Sequence, residues 1–581
     1  MPAPVQPTRP SNLLYAVDEW PPPLRLALLG LQYAVMAAIY LILVTIILRH
    51  TRVSQVSGVN AMGIACVGLA IGTALQALPH GPIGSGFLAP PVFSAVYLAP
   101  SVLAAERGGV ELVFGMTLFA GTIEILVALL LTRLRMVVTP VLTGLTVFVV
   151  GLQLGVVGIG ETLDVHHEAV AAAPLHFLVT TLTLLTCIGL SIWGRGTLKL
   201  LCSSLGLLVG MTGASAIGLI DSERVAAIGR AAWISLPHPA FLQLGFDPGL
   251  VPAFLAAGVA ASFRAVGVIT TCQRIINAAW RRPDRDNIRK GVLADGLSNV
   301  AGSMLGVPSG MSIGPSLVGV SGATGATSRV IGFAASLVLL VFAFSPKLSG
   351  FFLLVPQEVA GSLLVFTASF MIAGGMQIML SRSVDTRAVY VIGVSTLLGL
   401  SESVFPVYFR DLPATVRSFT ASPLALCLSG AIVLTLLFRL GAQQVGEVAW
   451  NDADASIGGA VAFLRGKVQA WKMATDLIET SASHARDVIT YILQNHSRHP
   501  QGTLRAVYNG VELRVDITYQ GTPTAYLPTS REDHASIESE LDNEEAAVIV
   551  GLRNFLRGLA VDRHQVKVQK GQVRVRLCYA V

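Results

Sequence analysis

Apolar positions in this chain fall in long blocks, not in alternation. Runs of the roughly 20 apolar residues that a helix needs to cross a bilayer begin near Leu26, Gly58, Val110, Val137, Leu175, Leu198, Leu250, Arg329, Phe351, Val389 and Pro423. Two further apolar segments are interrupted by glycine and proline in the same manner: residues 82–100 (PIGSGFLAPPVFSAVYLAP) and 307–327 (VPSGMSIGPSLVGVSGATGAT). Together with a short helix after Lys290 they bring the expected number of spans to about fourteen. Non-helical backbone is tolerated within a bilayer only where it is buried in protein or lines a cavity, because its free N–H and C=O groups need partners. The two broken segments are therefore expected to meet in the interior and to turn their half-helix N-termini toward a polar or anionic ligand. Close helix packing through small residues explains one such segment equally well, and two in matching positions less well. The first run, 26–48, is too long for a signal peptide and has no small-residue cleavage site behind it, so it reads as the first span.

The pattern changes near Leu440. From Gly446 onward charged residues are frequent and the apolar positions are amphipathic, which divides the chain into a Pro-rich lead (1–22), a transmembrane part (23–442) and a soluble domain (446–581) of ordinary single-domain size. Within that domain, 461–493 has a helical period. Residues 503–518 alternate as two strands joined at Asn509-Gly510, a good hairpin turn. Residues 528–543 are polar and acidic, 546–559 are helical again, and 565–577 alternate as a closing hairpin. The expected fold class is an all-α membrane protein with an α/β domain at its C-terminal end.

Composition agrees with the blocks. Of 581 residues, 53% are hydrophobic and 13% charged, and the mean hydropathy is +0.67, values that exclude a water-soluble globule for most of the chain. Positive loops stay cytoplasmic. Arg133 with Arg135, Arg195 with Lys199, the cluster from Arg274 to Lys290, and Arg382 with Arg387 all fall on one side. The loop of Arg49, His50 and Arg52 is the dissenter. Both termini are thus expected in the cytoplasm and the protein in the inner (plasma) membrane. These loops account for the pI near 9.0 without a nucleic-acid surface, and Arg281, Arg282, Arg285, Arg289 and Lys290 are placed to touch anionic lipid headgroups. The six cysteines, Cys66, Cys187, Cys202, Cys272, Cys427 and Cys578, show no metal-ligand spacing and read as packing residues. Neither a metal site nor the nucleophile or phosphate-loop arrangement of an enzyme is indicated.

The stretch 290–329 (KGVLADGLSNVAGSMLGVPSGMSIGPSLVGVSGATGATSR) resembles the signature of the nucleobase-ascorbate transporter family, which includes uracil and xanthine permeases. The matching elements are Gly291, Ala294-Asp295-Gly296 read as a turn, Gly306, Pro308, Gly319, Thr324 and Ser328-Arg329. Further matches are Gly30-Leu31-Gln32, Gly84-Ser85, Pro140 with Thr143-Gly144, Lys347-Leu348 and Val355-Pro356. The resemblance covers about residues 26–440. It implies two inverted seven-helix repeats, a core domain (spans one to four and eight to eleven) and a gate domain, with no cofactor. Ser94 and Ala95 match the third-span positions that face the substrate. Other positions depart from the family pattern. Arg264 stands for the usual Glu of span eight, and Gly267 with Val268 for its Gly-Asp pair. Ser316 and Leu317 replace the acidic or amide residue and the Asn of span ten, and Tyr33 replaces a His in the first span. The soluble domain resembles, in its order of elements, the small ATP-binding domains of histidine kinases and anti-sigma factors. Tyr519-Gln520-Gly521-Thr522-Pro523 stands where those carry an adenine-binding Asp, so a degenerate regulatory or dimerisation module is expected in place of a nucleotide binder.

An Arg at the bilayer midplane is expensive and is usually paired or functional. Unlike a Glu it only donates and stays protonated. Three readings of Arg264 stand side by side: it binds an anionic substrate through its forked guanidinium, it is neutralised by Glu124 on span four, or transport has been lost and the chain is a sensor. Glu124 itself is a candidate proton carrier or charge partner. Asp295 reads as the cap of a helix starting near Gly296, and Glu358 and Glu402 as snorkelling acids near span ends. The expected function is alternating-access transport of a nucleobase-like solute of the urate, xanthine or uracil class, neutral or anionic, by a homodimer. Proton or sodium coupling by the family's route is not expected, because its carboxylates are missing. The alternative is a receptor that signals through the C-terminal domain.

Overall fold

A computed structural model describes residues 9–520 and 552–580, apart from 11–12, 52–54, 132–138, 164–172, 196–197, 199–201, 239–242, 279–282, 381–383, 413–419, 439–443, 496–500, 509–511 and scattered single or paired positions. Arg52, Arg133, Arg135, Lys199, Arg281, Arg282, Arg382, the Asn509-Gly510 turn, the acidic segment 528–543 and most of 546–559 lie outside the described residues. Contacts divide the chain into two compact units, Val5–Leu434 and Thr435–Val581.

In the first unit, α1 (Pro23–Ala38) and α2 (Leu41–Arg49) are separated by a break at Ile39-Tyr40, and α3 is Gln55–Ala77. A three-residue strand, β1 (Pro91–Phe93), leads into α4 (Ala95–Leu130), which is interrupted at Gly108 and Gly109. Gly109 has φ +68°, a left-handed conformation that a side chain disfavours. There follow α5 (Pro140–Leu163), α6 (Ala173–Trp193), α7 (Cys202–Ala216), α8 (Val251–Ile276) and α9 (Arg285–Leu305). Strand β2 (Met311–Ile313) then leads into α10 (Pro315–Thr324), followed by α11 (Arg329–Phe344), α12 (Gln357–Met379), α13 (Thr386–Val404) and α14 (Pro423–Leu437). Among the described residues seven helices are long and apolar enough to cross a membrane, or eight if Arg329–Phe344 and Pro346–Leu354, bent by 87°, form one span. Outward-facing Phe177, Leu178, Leu185 and Ile192 of α6 are exposed, as a lipid-facing helix requires and a soluble one avoids.

Two packing groups emerge. Helices α1, α3, α4, α8, α9 and α11 pack on one another, while α5, α6, α7 and α12 form a second group that meets the first mainly where α8 touches α5, and also where α4 touches α5 and α1 touches α7. The α5–α12 contact is built on glycines. A Cβ added at Gly375 would lie 2.5 Å from the Phe148 amide nitrogen and 2.8 Å from the Gly144 carbonyl oxygen. Both are backbone atoms that cannot swing away, so Gly375→Ala is expected to push these helices apart at about 1–3 kcal/mol. The measurement is the thermal midpoint of the full chain in detergent, and an unchanged midpoint would refute the contact.

Several expectations are corrected. Asp295 caps no helix: it lies mid-way along α9, fully buried, and the helix starts a full ten residues earlier behind its own cap, Asp284. Glu358 does not snorkel. It is buried in the first turn of α12, where its Oε1 pairs with His176 Nδ1 of α6. The dissenting Arg49 is no loop cation, since it ends α2 and bridges to Glu161 of α5 at 3.2 Å while donating to the Val355 carbonyl at 2.9 Å. Of the basic cluster, Arg289 and Lys290 bridge to Asp286 at 2.8 and 3.4 Å.

The second unit holds β3 (Gln444–Trp450), α15 (Asp454–Ala470), α16 (Thr475–Asn495), β4 (Gly502–Tyr508), β5 (Glu512–Gln520), β6 (Arg563–Gln569) and β7 (Gln572–Ala580). The strands form one antiparallel sheet in the order β3-β4-β5-β7-β6. Both expected hairpins are present. The single helix expected over 461–493 is two, and β3 was not foreseen. Leu504, Val515, Ile517, Val575, Leu577 and Tyr579 alternate onto one face, buried with Leu464 and Ile489 of the helices.

Candidate functional site

The two broken segments meet. β1 and β2 pair antiparallel, with Pro91 opposite Ile313 and Phe93 opposite Met311. The pairing extends symmetrically at both ends: the Ser94 amide donates to the Gly310 carbonyl at 3.1 Å, and the Gly314 amide to the Pro90 carbonyl at 3.1 Å. Backbone groups that lipid could not satisfy are thus satisfied by each other. The residue after each strand is the N-cap of a half-helix, Ser94 for α4 and Gly314 for α10. Gly314 brings no side chain to its helix end, so the first-turn amides of Ser316 and Leu317 have no intrahelical acceptor.

Arg264 of α8 joins this place. It is 5% exposed, and its Nη1 donates to Ser94 Oγ at 2.7 Å. Ser94 Oγ also accepts the Val96 amide at 3.3 Å, so its own O–H is the part of this hydroxyl that can still donate. Arg264 Nε is buried without a partner, and no described carboxylate lies within ion-pair distance of the guanidinium. Asp295 and Tyr40 lie within its electrostatic reach. Tyr40, at the break of α1 and α2, shares a 2.9 Å hydrogen bond with the exposed Ser316 Oγ. The guanidinium, the Ser94 hydroxyl and two helix N-termini therefore converge as donors. Such a set is suited to an anionic or acceptor-rich ligand.

The pairing of Arg264 with Glu124 is not the one the structure makes. Glu124 of α4 is fully buried, and its Oε1 accepts from the Tyr97 hydroxyl and, at 2.9 Å, from Asn299 Nδ2. Asn299 of α9 also holds the backbone of Met311 on both sides, donating to its carbonyl at 2.8 Å and accepting its amide at 2.6 Å. Ser312 Oγ then donates to Asp295 Oδ2 at 2.8 Å. This ring ties β2 to α4 and α9. It needs close approach: a Cβ at Gly121 would lie 2.9 Å from Asn299 Cβ, and one at Gly296 would lie 3.0 Å from Glu124 Cβ.

The other sequence candidates are placed as follows. Ala95, in the first turn of α4, is buried beside Ser94. Tyr33 is fully buried and shares a 2.7 Å hydrogen bond with Ser321 of α10, which fastens α1 to that half-helix. Leu317 is fully buried and packs toward Gly314. Gly267 faces α5, where an added Cβ would sit 3.7 Å from Thr143 Cγ2. Residue-by-residue reading missed Tyr40, Tyr97, Asn299 and Ser312. The spacing of Asp295 and Asn299, one turn apart on one helix face, was a signal that could have found one of them.

A family model described as the permease family, Xan_ur_permease, matches residues 24–408. The xanthine permease XanP of Escherichia coli (strain K12) is 24% identical over 454 residues, which are 75% of this chain and 96% of that protein. The xanthine permease XanQ of the same organism is 27% identical over 458 residues, 75% of this chain and 95% of its own. A uracil permease of Bacillus caldolyticus is 25% identical over 374 residues, 62% of this chain and 82% of its own.

Proposed function

The chain belongs to the permease family of nucleobase-ascorbate transporters, and we propose that it carries an anionic, purine-like solute of the xanthine or urate class by alternating access. It is a multi-pass membrane transporter and not an enzyme. The finer reading takes the helices as fourteen spans in two inverted repeats of seven. The first packing group carries the solute, and the α5–α7 and α12–α14 helices act as its gate. Both termini are cytoplasmic, in the inner membrane of a homodimer, and the C-terminal domain is a degenerate regulatory or dimerisation module. The receptor reading draws no support from these relatives.

One observation carries the substrate class: the buried Arg264, with no described carboxylate in ion-pair range, aims its guanidinium at the Ser94 end of a half-helix. A neutral base asks for acceptors as well as donors, whereas this site offers mostly donors. The test is counterflow in proteoliposomes holding the full chain, with radiolabelled xanthine, urate and uracil. Exchange of xanthine or urate ahead of uracil is expected. Exchange of uracil alone overturns the anionic reading, and binding of any of them without flux at several pH values overturns transport.

A further inference from the structure

We infer that Arg49 is a latch between the two packing groups: it holds them together at one end of the bundle and lets go each time solute crosses. The inference rests on the transport reading above and adds a control on that movement. The end in question is fixed by its neighbours. Arg49 closes α2, roughly 13 Å of helix beyond the Tyr40 break, and the next residue, His50, places Nε2 3.9 Å from Glu106 of α4. Arg107, which follows Glu106, bridges at 3.3 Å to Asp247, just ahead of the start of α8. The far end of α8 is tied instead to the basic segment 285–290, through Gln273 and the Asp284 backbone. Arg49 thus stands at the end of the bundle away from that segment.

Its bonds cross from one group to the other. α2 packs on α3 and α4 of the first group. Arg49 Nη1 lies 3.2 Å from Glu161 Oε2 of α5, in the second group, and Nη2 donates to the Val355 carbonyl at 2.9 Å. One turn earlier on α2, the Thr45 hydroxyl faces the carbonyls of Leu41 at 3.2 Å and Phe352 at 3.3 Å. Phe352 and Val355 belong to the connection by which the chain passes from α11 of the first group to α12 of the second. Glu161 cannot follow α2, because the end of α5 is set on α12 with no side chain between them. A Cβ at Gly158 would lie 2.9 Å from the Gly361 carbonyl oxygen, and one at Gly361 would lie 2.5 Å from the Gly158 carbonyl oxygen.

A contact of this kind has two states. The side chains of the bridge are only 23% and 16% exposed, so salt screens the pair less than it would a surface pair. Alternating access requires the two groups to slide or hinge against each other, and a bridge made at 3.2 Å does not survive a displacement of several ångströms. It therefore stands on one side of the step only and favours the arrangement in which the groups are shut at the Arg49 end. Removing it shifts the population toward the arrangement that is open there. Solute arriving from that end then meets a larger competent fraction.

The test measures distances in the full chain, reconstituted in liposomes, by pulsed electron paramagnetic resonance. Spin labels go on cysteines introduced at Glu106 of α4 and at Gly160 of α5, where an added side chain meets nothing within 4 Å. Cys202 is replaced by serine, the other five native cysteines being buried. With Arg49 and Glu161 intact a short separation should dominate. Arg49→Glu, which sets two carboxylates against each other, and Glu161→Ala should each raise the share of a longer separation by roughly fivefold. Combining Arg49→Glu with Glu161→Arg should bring the short separation back. Identical distributions with and without Arg49→Glu overturn the latch. So does a charge swap that stays as open as Arg49→Glu, which would mean lost packing and not a lost ion pair. Transport gives the second arm. Arg49→Cys with Glu161→Cys, joined by a short bis-thiosulfonate reagent, should stop xanthine counterflow until a reductant is added, and counterflow that continues through the cross-link overturns the inference. If the parent protein exchanges no xanthine, the transport reading is what fails, and the distance distributions still decide the latch.

Discussion

Arg264→Ala is expected to reduce affinity for xanthine or urate by at least about 100-fold while the purified protein stays monodisperse. Losing a desolvated, charge-assisted contact removes roughly 3–5 kcal/mol, and each 1.4 kcal/mol is about tenfold in affinity. Folding should suffer less, because Arg264 has no ion pair in the fold, only the Ser94 hydroxyl at 2.7 Å. Arg264→Lys separates charge from shape. It keeps a cation near Asp295 but loses the planar fork, so a loss of roughly tenfold is expected. Binding to purified wild type and variants, read as the ligand-induced rise in thermal midpoint, decides the matter. Unchanged affinity together with a lowered midpoint would make Arg264 a structural partner of Asp295 and remove the basis for an anionic substrate.

The sequence revealed where the site is better than how it is wired. The breaks at 82–100 and 307–327 were legible because glycine and proline in an apolar run state a backbone demand that the bilayer cannot meet, and the β1–β2 pairing answers that demand. The strands of the C-terminal hairpins were legible from period-two alternation, which the sheet register confirms at Leu504, Ile517 and Leu577. Side-chain partners were not legible, because they join positions far apart in the chain. Nothing local to Glu124 says that Tyr97 and Asn299 fill its oxygen, and nothing local to Arg264 says that Ser94 is its acceptor. Asp295 was misplaced because an Asp-Gly pair reads as a turn in water. Within a helix packed at glycine distance on α4, the same Gly296 is what lets the two backbones approach. Glu358 was misplaced because closeness to a span end says nothing of a His176 arriving from another helix. The split of α15 and α16 escaped because both helices continue one amphipathic period across the turn at Trp471.

Asn299→Leu is expected to have the largest effect on the fold, lowering stability by about 3 kcal/mol or more. The residue makes three hydrogen bonds at once: to Glu124 Oε1 at 2.9 Å, to the Met311 carbonyl at 2.8 Å and from the Met311 amide at 2.6 Å. Leucine has similar bulk and no polar atom, so each partner is left buried and unsatisfied at about 1–3 kcal/mol. Lipid supplies no water to repair the strand. Ser312→Ala, which removes only the 2.8 Å bond to Asp295, should cost about 1 kcal/mol and serves as the graded control. Thermal midpoints of the full-length variants in one detergent measure both effects. The contrast with Arg264→Ala is the informative part. If the ring through Asn299 holds the half-helix ends in place and Arg264 only meets the solute there, Asn299→Leu should lose midpoint and binding together, while Arg264→Ala loses binding alone. Equal midpoints for Asn299→Leu and wild type would mean that β1–β2 pairing suffices to hold the site, and the ring would then have no structural task left to explain its burial.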